Sequence, residues 1–500
     1  MDEGFRALGV AETSNPLERE PVGFGNGPGR DRTSSSAKEE DEKRRETFPS
    51  FREKEDASAF FSADRWLRGP VDPAGALVHV SDRPLTCVSA APAGDGVAVG
   101  GTDHAVRVVG VAKDDASAAS AASAKSRRRA PAASVATLRG GHREWVTCVT
   151  HDVTRGHVVS GGMDSCVYVW ARRNVFKNGS HGADHVTVPT KLEGHGGSVS
   201  DVLADDGRVA SASYDKTVRL WRLQKTQKKS VVKSVGSTAT AVATLRGHRA
   251  PALRLAARLE SGANADVADV RDDAFGAHAF GLDFASLASG DRGGAVLRWD
   301  AASGSLVSSR DAHEGHCTAL RWVEGADPNA TPLLASGGQD GAARFWDDRQ
   351  GGRPAAQAHA HARARGAGAV SEIAQCVGSR RVVTAGADGY AAVLDLRADR
   401  AETVSVSSET VSTVASLSSH ALGDFAYSLC VAPDADVAFV GDGAGHVHCV
   451  DVAGANTGGV PRVAFALGAH RGATRALVAT RDGKLCAAGD DGRVASYAFT

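Results

Sequence analysis

Histidine, serine, aspartate and tryptophan recur in matching order in three stretches of the chain: His142, Ser160, Asp164 and Trp170; His195, Ser211, Asp215 and Trp221; His313, Ser336, Asp340 and Trp346. Serine, histidine and aspartate within reach of one another are the parts of a hydrolase triad, in which the acid orients the imidazole and the imidazole takes the serine proton. A catalytic centre needs one such set. A set that returns in unit after unit answers a structural demand, so these residues are read as holding the fold. Metal binding is the second chemistry to weigh. His313-Glu314-Gly315-His316 and His359-Ala360-His361 each bring two histidines together, short of the three or four convergent ligands a usable site needs. His446 and His448 alternate with Val447. On a strand they share a face and read as a half-exposed pair. No P-loop, kinase set or Gly-x-Ser-x-Gly elbow occurs in a suitable context. The expectation is a protein without catalysis, cofactor, metal or small-molecule substrate.

The elements that must position these residues are short apolar runs broken by turn residues, the pattern of antiparallel sheets. Gly141-His142 is followed by Trp145 to Cys148, then Val158 to Asp164, then Val167 to Trp170. Gly194-His195 and Ala312-His313 open two further units of the same kind, and Ser-x-x-x-Asp-x-x-x-x-x-Trp is common to all three. Weaker units keep the frame. The first ends in Val106 to Val109; the fourth opens at Gly247-His248 and closes with Leu297 to Asp300. The sixth has Val383 to Asp388, the seventh Phe439 to Asp442, and the eighth Ala469-His470 and Gly489 to Asp491. In units four and seven the turn-aspartate position holds Gly293 and Ala444, with Asp291 and Asp442 two residues early. Irregular turns are expected there.

The chain is thereby similar to the WD-repeat family. That resemblance implies an all-β fold, a WD-repeat β-propeller. It also implies that each Asp accepts from the His, the His contacts the Ser, and the Ser contacts the Trp indole. Eight units give eight blades, with seven, the family's common number, as the alternative. The last run, Arg493 to Phe499, has no fourth strand after it, and Ala76 to Val80 can supply the missing outer strand. An open sheet edge would otherwise invite aggregation.

Three regions follow. Residues 1–58, rich in Ser, Glu, Lys and Arg, are expected to be a disordered extension. Residues 59–75 carry the cluster Phe60 to Leu67, which either packs on the propeller or docks a partner. Residues 76–500 are the repeat domain. The net charge of −1 gives no global basic field, so nucleic acid is not an expected partner. No apolar stretch approaches the roughly 20 residues of a membrane helix. The acidic N-terminus lacks a signal-peptide core. Eight cysteines without a C-x-x-C pair suit a reducing, intracellular compartment, cytoplasm or nucleus. The sequon at Asn178 is then without consequence.

Family resemblance places partner docking on the top face, formed by the loop before the first strand and the turn between strands two and three. Those positions hold Arg143, Glu144, Trp145, Met163, Tyr214, Arg292 and Gln339, types enriched at protein interfaces. Charge runs at Arg127 to Arg129, at Lys225, Lys228, Lys229 and Lys233, and around Asp266 to Asp273 read as solvated loops. Trp346-Asp347-Asp348-Arg349 resembles the W-D-x-R box of cullin-RING ubiquitin-ligase substrate receptors, whose arginine meets the ligase adaptor on the bottom face. A second box ends at Arg397, with Leu394 in place of the aromatic. The expected function is a protein–protein interaction scaffold, with ligase substrate reception as its most specific version. A structural subunit of a large RNA-processing or cytoskeletal complex is the alternative.

Overall fold

A short sheet with alternating apolar residues can bury both faces only by stacking on neighbouring sheets. In the computed structural model this happens around a closed ring. The structure describes residues 63–92, 94, 96–110, 134–138, 140–171, 189–223, 238–239, 241–259, 282–323, 332–349, 352–363, 366–376, 381–396, 415–417, 424–454, 461–480 and 482–500. The expectations placed on residues 1–62, Asn178, the basic clusters at Arg127 and Lys225, residues 266–273 and Arg397 lie outside the described residues.

Blade 1 is Leu85–Ala90, Gly96–Gly101, Val106–Gly110 and Val135–Leu138; blade 2 is Val146–His151, Val158–Gly162, Val167–Trp170 and Thr190–Leu192. Blade 3 is Val199–Asp205, Arg208–Ser213, Thr217–Arg222 and Ala241–Arg246; blade 4 is Ala252–Leu259, Leu282–Asp291, Ala295–Asp300 and Ser305–Asp311. Blade 5 is Cys317–Val323, Leu333–Gly338, Ala343–Trp346 and Ala356–Ala358; blade 6 is Val370–Gln375, Arg381–Gly386, Ala391–Asp395 and Ala415–Leu417. Blade 7 is Ala426–Val431, Val437–Asp442, His446–Asp451 and Arg462–Gly468. Blade 8 has Thr474–Ala479, Lys484–Gly489 and Arg493–Ala498, and its outer strand is Ala76–His79, antiparallel with Ala76 opposite Ser496. The ring therefore has eight blades, closed by the strand the sequence offered for it. Blade 2 gains a fifth, parallel strand, Thr238–Ala239.

Two local devices repeat in every blade. The register between the first and second strands shifts at the second residue of the first strand, a β-bulge in all eight. A bulge re-aims its side chain, and here a hydroxyl at or beside it reaches the next blade. Thr86 donates to the Val146 carbonyl, Thr147 to Val199, Ser200 to Ala252 and Ser371 to Ala426, each at 2.6 Å. Thr318 donates likewise to Val370, and Ser428 to Thr474 at 2.9 Å. Among the described residues the junctions from blade 4 to 5 and from blade 8 to 1 lack this hydroxyl bond, the corresponding residues being Leu253 and Arg475.

The second device is the turn between strands two and three. Its last residue is left-handed in every blade: His104, Ser165, Lys216, Gly294, Gly341, Gly389, Gly445 and Gly492. The turns of blades 4 and 7 therefore match the rest, and the expected irregularity is not found. Moving the aspartate changes which side chain reaches inward; it leaves the number of turn residues, and hence the backbone path, unaltered.

The core is divided by interface. One buried apolar cluster lies at each of the eight junctions between blades. That between blades 7 and 8 also contains Trp66, from a short helix at 63–67. Trp66 is fully buried, packed edge-on to Phe439 and tilted against Phe499, and its indole N–H donates to Asp434 Oδ1 at 2.7 Å. Arg65 donates to the other oxygen of Asp434 at 3.1 Å.

Candidate interaction surface

The large majority of buried polar side chains are paired, and most of the recurring residues of the sequence pair with one another. In blade 3, Trp221 Nε1 donates to Ser211 Oγ at 2.8 Å, Ser211 meets His195 Nε2 at 2.7 Å, and His195 Nδ1 meets Asp215 Oδ2 at 2.8 Å. A carboxylate only accepts, so the proton order is set: indole to hydroxyl, hydroxyl to Nε2, Nδ1–H to carboxylate. Blade 5 repeats this with Trp346, Ser336, His313 and Asp340 at 2.9, 2.8 and 3.0 Å. Blade 2 keeps His142 on Ser160 at 2.8 Å and on Asp164 at 2.9 Å, but the Trp170 indole N–H has no hydrogen-bond partner. Trp170 contributes packing alone and is no member of the expected network. Its ring stacks near Tyr168 and sits over Gly141.

Other blades use variants. In blade 4, Asp291 does the turn aspartate's work from two residues earlier. It meets His248 Nδ1 at 2.9 Å; His248 meets Ser289 at 2.6 Å, and Trp299 donates to Ser289 at 2.7 Å. In blade 6 the histidine is His361, on Asp388 and Thr384, each at 2.9 Å. Sequence reading missed it, because a small hairpin, Ala362–Arg363 with Gly366–Ala367, separates His361 from its blade. The signal was Thr384-x-x-x-Asp388, with Leu394 in the tryptophan position. In blade 8, His470 meets Asp491 at 2.9 Å, while Ala487 stands where the serine would be. The chemistry of these sets is that of a clasp: every hydroxyl and ring nitrogen so engaged is inside the protein. The pair His446 and His448 is split rather than half-exposed. His448 is buried, His446 is exposed, and Asp442 lies between them.

Electrostatics follow from these contacts. Burial pushes Asp215 up, but hydrogen bonds from Thr217, Gly196 and His195 outweigh it and hold the carboxyl at about 2. Burial lowers His195 and His470 from the ordinary 6.5, against their aspartates. All three groups have lower pKa values folded than unfolded, so the unfolded chain binds more protons in acid and stability falls with pH. Melting temperature is expected to decline in two stages. The first begins as pH falls through 6.5; the second runs from about 3.9, the unfolded aspartate value, down towards 2. Thermal melts across this range check it, and a flat profile down to the aspartate range contradicts it.

The surface residues fall as follows. Arg143, Glu144, Trp145, Met163, Tyr214, Arg292 and Gln339 are all exposed on the rim formed by the loops before the first strands and the turns after the second. Three of them are contiguous. Met163 N donates to Trp145 O at 2.9 Å, Ser198 Oγ to Met163 O at 3.4 Å, and Tyr214 N to Ser198 O at 2.9 Å. Trp145, Met163 and Tyr214 are 49%, 40% and 46% exposed. Arg292 and Gln339 lie apart from them, on blades 4 and 5: Arg292 Nε reaches His316 Nε2 at 3.1 Å, and Gln339 Oε1 accepts from His316 N at 3.3 Å. On the opposite rim Arg349 is 68% exposed. Asp347, expected beside it as a contact residue, is buried, and its carboxylate is occupied by Arg349 Nε and NH2 and by the Arg349 backbone N–H. Arg349 is therefore the solvent-facing member of the pair, and Asp347 orients it.

A ring of four-stranded blades, clasped by Trp–Ser–His–Asp chains and closed by a strand from the other end of the domain, is a WD-type β-propeller. The chain carries WD repeats: residues 133–171, 187–222 and 304–347 match the family model described as WD domain, G-beta repeat. It is similar to the ribosome biogenesis protein YTM1 of Coccidioides immitis, 24% identical over 259 residues, 42% of this chain and 51% of that protein. The chain spans about half the length, or less, of the curated relatives it matches. Among solved structures, Saccharomyces cerevisiae Sqt1 superposes with a TM-score of 0.61 at 13% identity, covering 85% of this chain and 99% of that one. The computationally designed Ika8 protein superposes with 0.55 at 17% identity, covering 84% and 98%. At these identities the two structures speak for the fold alone. The fold is one that supports protein–protein interaction, and no helix among the described residues is long and apolar enough to cross a membrane.

Proposed function

We propose that this chain is a non-catalytic docking platform, a subunit of an intracellular assembly that holds a protein partner on the top rim of blades 2 and 3. The observation that carries this reading is the contiguous exposure of Trp145, Met163 and Tyr214. Large apolar side chains left in water on a rigid rim are the residues that dominate binding energy when covered. Arg143 and Glu144 border the patch and suit it to a partner with an apolar anchor and a charged rim. The likeness to a ribosome biogenesis protein supports an RNA-processing assembly over a cytoskeletal one. Trp145→Ala combined with Tyr214→Ala is expected to weaken the partner by about 30-fold or more, at least 2 kcal/mol as for interface hot spots. The folded ring should be untouched, because both side chains point to solvent. Affinity purification with quantitative mass spectrometry reads this; full retention of every stable partner by the double variant refutes the site.

A second reading rests on Arg349, exposed and oriented by a two-pronged contact with Asp347. It is that of a substrate receptor whose bottom rim meets a cullin-RING ligase adaptor. The same purification with Arg349→Glu separates the two. Loss of a ligase adaptor supports this reading, and an adaptor absent from both samples leaves the top-rim platform.

A further inference from the structure

Blade 7 departs from the other clasps in a way that brings three metal-binding side chains together. Its second and third strands pair with Val440 opposite His448 and Gly441 opposite Val447. Asp442 then falls across from His446, and His448 lies diagonally, so all three share one face of the hairpin. Asp442 Oδ1 accepts from the His446 backbone N–H at 2.7 Å, which fixes the carboxylate. Its Oδ2 faces both rings, 3.2 Å from His446 Nδ1 and 3.0 Å from His448 Nε2. The three ligand atoms lie within 4.8 Å of one another. His448 Nδ1 is buried without a partner, so that ring's polar contact is with the cluster.

We propose that Asp442, His446 and His448 form a zinc(II) site on the top rim of blade 7. Zinc takes imidazole nitrogen and carboxylate oxygen at about 2.0–2.2 Å in a tetrahedron. Ligand atoms are then about 3.3 Å apart, close to the two nitrogen–oxygen separations already present. Small rotations of the rings open the oxygen-centred hydrogen bonds into metal bonds, and each neutral ring moves its proton, by exchange with solvent, from the nitrogen facing the metal to the other ring nitrogen, so that it binds as neutral imidazole. The carboxylate supplies negative charge where burial disfavours a bare cation. The fourth position opens on the solvent side, where His446 is 49% exposed, and is filled by water or by a side chain of a docked protein. A hydrogen-bonded hairpin without metal affinity is the competing account.

Calorimetric titration of the chelator-treated full chain with zinc chloride decides between them, wild type beside His446→Ala. His446→Ala takes one hydrogen bond from the buried Asp442 carboxylate, which keeps those of His448 and of the backbone N–H at position 446, so each protein's thermal shift is read against its own metal-free melting temperature. The expected result is one zinc bound by wild type, raising its melting temperature, with that equivalent and that rise both lost in His446→Ala. Equal zinc uptake and equal thermal shift in the two proteins place the metal elsewhere and overturn the site, as does no uptake by wild type.

Discussion

Trp66→Ala is expected to destabilise the propeller by about 3–5 kcal/mol, the range for removing a large aromatic from a packed core. Trp66 fills the junction between blades 7 and 8, against Phe439 and Phe499, and leads directly into the strand that closes blade 8. Its loss leaves a cavity there and strips Asp434 of the indole hydrogen bond. Trp66→Phe should recover part of the packing without that bond. Asp434→Ala alone should cost about 1–3 kcal/mol, the penalty for a buried donor left unpaired. Chemical denaturation of the three variants orders them Trp66→Ala, then the two milder changes. If Trp66→Ala unfolds at the wild-type midpoint, the helix at 63–67 is an ornament and the ring closes without it.

The second large effect lies in blade 4. Asp291→Ala should cost about 3 kcal/mol, since a charged acceptor is lost and the His248 N–H is left buried and unpaired. Asp291 Oδ1 also accepts from Gly293 N and Ala295 N, each at 2.9 Å, so the turn loosens with it. The sharper test moves the carboxylate. In blade 2 the aspartate two residues later reaches the same histidine nitrogen from a turn of equal length. A Cβ at Gly293 meets its nearest neighbours at 3.3 and 3.4 Å, the closer being the Asp291 carboxylate itself. The double change Asp291→Gly with Gly293→Asp should therefore regain most of the lost stability. Equal instability of the single and double variants would falsify the claim that the two positions serve one histidine.

These cases show what the sequence could and could not carry. Ser211-x-x-x-Asp215-x-x-x-x-x-Trp221 is legible because strand pairing converts a fixed spacing into a fixed approach. The closing strand is legible for a similar reason: Arg493–Ala498 lacked an outer neighbour and Ala76–His79 lacked a blade. His361 was hidden because an inserted hairpin breaks the spacing while leaving the position intact. The failure of Trp170 to reach Ser160 is a matter of side-chain placement that residue types do not record. Asp347 read as a surface residue because its neighbour Arg349 is one; the fold turns one inward to hold the other outward. Asp442, His446 and His448 were weighed as two histidines, since only the pairing of the hairpin brings the acid to them.

The hydroxyl bonds between blades have a consequence for how the ring yields. They run unbroken through blades 1 to 4 and again through blades 5 to 8. The two gaps stand on opposite sides of the circle. The apolar clusters follow the same division: seven buried residues at the junction of blades 4 and 5 and eight at that of blades 8 and 1, against nine to fifteen at the others. Between blades 4 and 5 longer side chains take the hydroxyl's place: Arg254 Nε donates to Thr318 O at 2.6 Å, Trp322 Nε1 to Ser286 O at 2.8 Å, and Arg298 and Arg310 both pair with Asp348. Local opening follows the regions of least buried contact, so the seam expected to part first is that between blades 8 and 1, where the two ends of the domain meet. Trp145, Met163 and Tyr214 stand on one side of that seam, and the histidine pair of blade 7 on the other.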